Sequence, residues 1–233
     1  MRIIIQTTTM LRLSRQYCQH QPARLELTLA ILKPDLVQHS PHHQQVQQMI
    51  LQHRFLVVRS NIINLSRARQ QSTTTVPIFF GSINNSFILI EENIFEYLLT
   101  PEGARAEEFY SEHREKFFYN RLVTFMSSGP CQTLILARED AISGWRELMG
   151  PTKVFRTRFS HPESVRGRFG LTDTRNVSHG SDSEETARAE ISFFFPEFSE
   201  TRWEGEEREY FQSGRVIFDC EQFVHRPDWS SPQ

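Results

Sequence analysis

Leu25–Leu32 (LELTLAIL) alternates at first, then runs apolar, and stops at Lys33-Pro34-Asp35, the pattern of a central strand whose ladder a proline ends. Two more strands of this kind follow at Phe55–Leu65 (FLVVRSNIINL) and Cys131–Arg138 (CQTLILAR), the third entered through the turn pair Gly129-Pro130. Ser40-Pro41 opens a helical stretch to about His53, with Ser40 as N-cap and Pro41 at the first helical position. Helical spacing also runs over 106–116 and 119–127, with a break near Lys116 to Phe118, and over Asp140–Met149, closed by Gly150. Arg175–His179 is short enough to be a fourth strand. Ser183–Phe195 reads as a final helix, capped by Ser183 with acids in its first turn. Short strands with helices segregated to one side predict an α+β fold: a ferredoxin-like βαββαβ sandwich with a four-stranded antiparallel sheet and surrounding helices.

Two ends and one internal segment stand apart from that domain, placed at residues 25–200. Before Glu26 the chain carries Arg2, Arg12, Arg15 and Arg24 with no acid, and no long apolar run. Such a leader, residues 1–24, suits a mitochondrial transit peptide better than a secretory signal. A leader bypassed by translation from Met10 is the alternative, and the chain is then cytoplasmic. Gln70–Gly103 holds a β-branched and aromatic stretch, TTTVPIFFGSINNSFILI, between two helix-forming regions. Ser66-Arg67-Ala68-Arg69 before it nearly repeats as Ala104-Arg105-Ala106 after it, so it reads as an insertion rather than a binding hairpin. Residues 201–233 turn acidic (EGEERE) and then irregular, as an appendage.

The formal net charge of -2 gives no overall pull toward nucleic acid or anionic membranes, so neither is an expected partner, and phosphate binding needs a local basic cluster. Cys18, Cys131 and Cys220 are odd in number and far apart, which argues against a disulfide framework and a zinc site.

The octad Asn176–Ser183 (NVSHGSDS) carries the chemistry. A histidine at a strand tip, beside glycine and just before a helix N-terminus, can approach a phosphate closely, and a neutral imidazole is a competent nucleophile. Taken alone it is as well a surface turn with an incidental His179. Glu190, on the following helix, can orient the imidazole. Lys33 sits at the C-terminal end of the first strand, and Arg146, Thr152 and Arg166 lie around a basic loop, the convergence of cations that phosphoryl transfer requires.

Together LTLAILKPD, FYSEHREKFFYNRLVTFMSSGP, WRELMGPT, SVRGRFG and RNVSHGSDS…AEISFFF resemble the nucleoside diphosphate kinase family, over about residues 25–198 apart from the insertion. The run SGPCQTLILAREDAISGWRELMGPTKVFR, RFGLTDTRN and the acidic C-terminus most resemble its nucleoside diphosphate kinase 6 subfamily. The resemblance implies a phosphohistidine at His179, oriented by Glu190. It implies that Lys33 and Tyr110 contact the transferred phosphate, and that Arg146, Thr152 and Arg166 hold the phosphates. Asn176 would reach the ribose and phosphate chain, and Phe118 would stack on the base. The implied partners are ATP and other nucleoside di- and triphosphates, with Mg²⁺ bound through their phosphates and Asp182 nearby. A homo-oligomer or a protein partner is compatible with it. The implied reaction is ping-pong exchange of a γ-phosphate. The alternatives are a weakly active fold used mainly as an interaction partner, or phosphotransfer from the same histidine to proteins. Three features depart from the family pattern: Leu36 replaces the glycine after KPD, the loop from Thr152 to Arg166 is longer, and Asp173 replaces a small apolar base contact.

Overall fold

A computed structural model describes residues 24–66 and 106–230. The leader up to residue 23 and the Gln70–Gly103 insertion lie outside the described residues. Strands β1 (Glu26–Leu32), β2 (Leu56–Asn64), β3 (Pro130–Arg138) and β4 (Ser178–Gly180) form one antiparallel sheet in the order β2-β3-β1-β4. The fold is the α+β, ferredoxin-like sandwich that the strand and helix order predicts.

Helices cover both faces of the sheet, not one. Alternation along β1 decides this: Leu29 and Ile31 enter one apolar cluster, Ala30 and Leu32 the other. β3 divides likewise, with Ile135 and Ala137 on the first side and Leu134 and Leu136 on the second. An inner strand buried on both faces needs a helical layer over each. The first face is covered by α4 (Tyr119–Met126) and α8 (Glu184–Phe194), the second by α2 (Ser40–Gln52) and α5 (Ala141–Met149). Leu36, in the short helix α1 (Pro34–Val37), is buried against α2 on the second face.

Several boundaries differ from the sequence reading. His39, not Ser40, is the N-cap of α2, and its side chain makes no capping bond. The stretch 106–116 divides into α3 (Ala106–Phe109) and a single 3₁₀ turn, Ser111–His113, because rings from this stretch turn inward toward the sheet. The fourth strand begins at Ser178, since Val177 has φ 61° and the ladder cannot run through it. Ser183 does cap α8, in a reciprocal capping box with Thr186.

Ser183–Phe195 is not the last helix, and the chain beyond it is not irregular. It forms α9 (Glu200–Arg202), one π-helical turn (Trp203–Glu207), α10 (Arg208–Gln212) and a hairpin of β5 (Val216–Asp219) and β6 (Val224–Pro227). Trp203 and Phe211 are buried in the first core cluster, so this segment completes the core. Arg59 of β2 holds Glu207 through two bonds of 2.7 and 3.1 Å, and His225 accepts the Val57 amide at 2.9 Å. After α5, α6 (Val154–Ser160) and α7 (Val165–Phe169) form the basic loop. No helix among the described residues is long and apolar enough to cross a membrane.

Candidate active site

β4 pairs with the last residues of β1, Ile31 opposite His179 and Leu32 opposite Ser178, which brings the histidine beside the end of β1 where Lys33 follows. A single backbone bond continues the register, from Lys33 N–H to Val177 O at 2.9 Å. Val177 in the left-handed region costs on the order of 1–3 kcal/mol for a β-branched residue, a strain that surrounding bonds must hold. What the turn gains is placement: Asn176 points its Oδ1 at Lys33, which donates from Nζ at 2.6 Å.

The imidazole of His179 is fixed from three sides. Its Nε2 lies 2.9 Å from Glu190 Oε1, one turn and a half into α8. Ser181 donates to the other carboxylate oxygen at 2.6 Å, so both oxygens of Glu190 are occupied. Phe109 and Tyr110 meet the ring edge-on, with centroids 5.2 and 6.3 Å away. The side chain of His179 is 24% exposed, accessible from solvent yet mostly enclosed. A proton on Nε2 satisfies the carboxylate and leaves Nδ1 with its lone pair.

Cations gather around it. Burial, reinforced by the Arg166 charge, lowers the Lys33 ammonium to about 8. Arg166 is itself 9% exposed; it donates to Gly150 O at 2.7 Å and to Ser178 O at 3.1 Å, and burial followed by the Arg146 charge lowers it to about 10. Arg146 is exposed on α5, and its charge also reaches Asp182. The principal cause of the lowered Asp182 carboxyl is the hydroxyl of Thr186, which donates to it at 2.7 Å. Thr152 is exposed two residues beyond Gly150, whose carbonyl binds Arg166. Asp35 offsets part of the charge on Lys33, but burial of Lys33 beside Arg166 remains costly, and an arriving anion relieves that cost.

Phe118, half-buried at the N-cap of α4, is linked to the histidine by rings: Phe118 meets His113 edge-on at 5.6 Å, and His113 stacks on Tyr110 at 6.3 Å. The Tyr110 hydroxyl is buried with no hydrogen-bond partner among the described residues, and burial raises it well above the usual phenol range. Asp173 is tied up elsewhere. Its carboxylate accepts from the Val154 amide at 3.1 Å and pairs with Lys153 at 2.9 Å, so it secures the start of α6.

Three residues escaped the sequence reading. Ser181 was visible only as part of a motif, Phe109 only as the neighbour of Tyr110. Trp145 stood in the motif WRELMGPT with no role assigned to it, yet its indole N–H donates to His179 O at 3.0 Å. Among the described residues no group of three or more His, Cys, Asp or Glu side chains could hold a metal ion. Burial pushes the Cys131 thiol up to about 12, so it is an inert core residue.

Comparison with known proteins agrees with this arrangement. A family profile described as nucleoside diphosphate kinase matches residues 90–199. The chain is 43% identical over 201 residues to nucleoside diphosphate kinase 6 of Danio rerio, covering 86% of this chain and 94% of the relative. It is 44% identical over 204 residues to nucleoside diphosphate kinase 6 of Homo sapiens, covering 88% and 90%. Among solved structures, the nucleoside diphosphate kinase of Aquifex aeolicus superposes with a TM-score of 0.55 at 30% identity, covering 76% of this chain and 98% of that one. A halophilic nucleoside diphosphate kinase from Halobacterium salinarum in complex with CDP gives 0.53 at 25% identity, covering 74% and 88%. With its sheet order, its histidine–carboxylate pair and these identities over nearly the full length of the relatives, the chain belongs to the nucleoside diphosphate kinase family.

Proposed function

We propose that the chain exchanges phosphate between nucleotides through a phosphohistidine at His179. The observation that carries this reading is the imidazole held at Nε2 by Glu190, an arrangement that favours the proton on Nε2 and the lone pair on Nδ1, near the buried cations Lys33 and Arg166. In the first half-reaction Nδ1 attacks the γ-phosphorus of a nucleoside triphosphate; the N–P bond forms as the bridging P–O bond to the β-phosphate breaks. The nucleoside diphosphate leaves with the electron pair. In the second, a terminal oxygen of another diphosphate attacks the same phosphorus, and the N–P electrons return to Nδ1. Glu190 stabilises the positive charge that spreads over the ring while phosphate is attached, and Ser181 keeps the carboxylate in place.

Lys33 and Arg166 would meet the charge that spreads over the equatorial oxygens, and Tyr110 would offer its unpartnered hydroxyl. An arriving phosphate holds Lys33 more firmly in its charged form, because the anion offsets the burial that depresses it. Arg146 and Thr152, exposed at the rim, suit the distal phosphates, Asn176 the ribose and phosphate chain, and Phe118 the base. Asp182 is engaged by Thr186 and Glu190 by Ser181 and His179, and no group of three or more metal-ligating side chains occurs among the described residues. Mg²⁺ enters the proposal only with the nucleotide, whose phosphate charge it would offset.

A second reading is that the fold serves mainly as an interaction partner. Phe155 and Phe159 favour it: they are 76% and 77% exposed on α6, meeting edge-on at 5.7 Å on the lengthened loop. A steady-state exchange assay of the purified chain, with ATP as donor and several diphosphates as acceptors, separates the two. Turnover abolished in His179→Ala is expected; binding of ATP with no turnover and no labelled protein favours the second reading.

A further inference from the structure

Trp145 is wholly buried in the second core cluster, where its ring meets Phe55 edge-on at 6.2 Å. A Trp that only fills space uses its faces. This one also donates its single N–H to the backbone carbonyl of His179 at 3.0 Å, from the side of the sheet opposite Glu190. The approach is as close as the chain permits: a Cβ on Gly180 would fall 2.3 Å from Trp145 Cδ1 and 2.5 Å from its Nε1.

β4 is three residues long, forms an edge of the sheet and is entered through the strained Val177. Pairing with β1 alone leaves so short a strand weakly registered. The bond between Nε2 and Glu190 fixes the tilt of the ring, but the position of the ring follows its own backbone. The next residue along α5 is Arg146, exposed where Trp145 is buried, and its charge reaches both Arg166 and Asp182. One helical turn thus holds the peptide of His179 with one residue and presents a cation toward the same site with the next.

We infer that Trp145 is a positioning residue for His179, and that its indole N–H sets the distance between the histidine and the cations of α5 and α7. This rests on the proposed phosphohistidine reaction for its kinetic consequence, though not for its geometric one.

Trp145→Phe keeps an aromatic ring in the pocket and removes the donor. In single-turnover labelling with γ-labelled ATP, the rate of label uptake is expected to fall about tenfold, since about a 1 Å misplacement of reacting groups costs one to two decades. The final label per chain and the ATP concentration giving half-maximal rate stay within about twofold of the unsubstituted chain. A purely structural role gives the opposite split, with less label at the end and an unchanged rate, and would overturn the inference. The second readout needs no activity: carbethoxylation of His179 by diethylpyrocarbonate, followed by peptide mass spectrometry. Release of the peptide is expected to raise its rate several-fold, and an unchanged rate contradicts the inference. If Trp145→Phe does not fold, Trp145→benzothienylalanine, which keeps the shape and lacks the N–H, is put through both measurements with the same expected and contradicting results. If the unsubstituted chain never takes label, the proposed reaction fails, and the reagent comparison alone decides the role of Trp145.

Discussion

Lys33 sits where an ammonium is least tolerated, 5% exposed and beside a second buried cation. Its folded pKa of about 8 lies below the ordinary 10.5, so the unfolded chain holds the proton more tightly. Stability from this group is therefore present in full above about 10.5 and is lost as pH falls through about 8, which leaves neutral pH fully penalised. The shift corresponds to about 3 kcal/mol. Lys33→Met should accordingly raise the melting temperature of the unliganded chain at pH 7 while slowing label uptake by about 10² or more, as loss of a preorganised charge contact does. A melting temperature lowered at pH 7 in that variant would contradict the account of Lys33. Glu190→Gln is milder, about tenfold in rate, because an amide oxygen still accepts from Nε2; single-turnover labelling measures it. The sequence pointed to Lys33, Asn176, Arg166, His179 and Glu190 because each lies in a short motif that resembles the family, whereas the residue pattern alone offered only a strand-tip histidine and cations around a loop. It could not reveal the contact of Trp145, the first residue of WRELMGPT: an indole acting on a backbone carbonyl leaves no pattern that tells it from one more apolar residue on a helix face. Asp173, which the sequence marked only as a departure from the family pattern, accepts from the Val154 amide, a contact across the chain that no local pattern announces.

At the level of elements, the C-terminal segment was the least legible. Its acids look like a solvated tail, yet Glu204, Glu206 and Glu209 pair with Arg208, Arg202 and Arg215, and its buried apolar residues are few: Phe223 and Val224 in the hairpin, and Trp203 and Phe211 in the helical part. A π-helical turn between them shifts the helical period, so no regular stripe appears. β1 and β3 were legible because apolar runs closed by proline or entered by Gly-Pro carry their own boundaries, and β2 because its β-branched residues are concentrated in one stretch. The hairpin's attachment to the sheet depends on His225, whose Nδ1 accepts the Val57 amide and whose burial lowers it from 6.5 to about 4. Here the neutral form fits the fold. The stability it confers is complete above about 6.5 and is lost as pH falls through about 4, up to about 3 kcal/mol. Acidification from pH 7 to pH 4 should thus expose the Val57 amide to hydrogen exchange before the amides of β1 and β3. His225→Gln should flatten that dependence, and simultaneous loss of protection in all strands would contradict a local detachment.

Across the whole molecule, the described residues on either side of the insertion are already joined: the amide of Ala106 donates to Ser66 O at 3.0 Å. Two backbones already bonded can be joined by a short loop, so deleting Gln70–Arg105, which leaves Arg67–Arg69 as the link, should keep the fold. Solubility should rise as well, since FFGSINNSFILI is a β-aggregation hazard. Calorimetry of the deletion variant tests this, and a large fall in melting temperature would make the segment part of the core. A fusion of residues 1–25 to a reporter tests the proposed mitochondrial leader: import is expected, Arg12→Glu with Arg15→Glu should abolish it, and a uniform cytosolic signal from the unaltered fusion would reject it. The central claim concerns His179, and one measurement reaches it most directly. The purified chain is incubated with γ-labelled ATP and Mg²⁺ without acceptor, and the acid and base stability of any protein-bound label is determined. The account predicts label that is acid-labile and base-stable, discharged by added diphosphate and absent from His179→Ala. Label on a hydroxyl residue, or nucleotide exchange undiminished in His179→Ala, would contradict it.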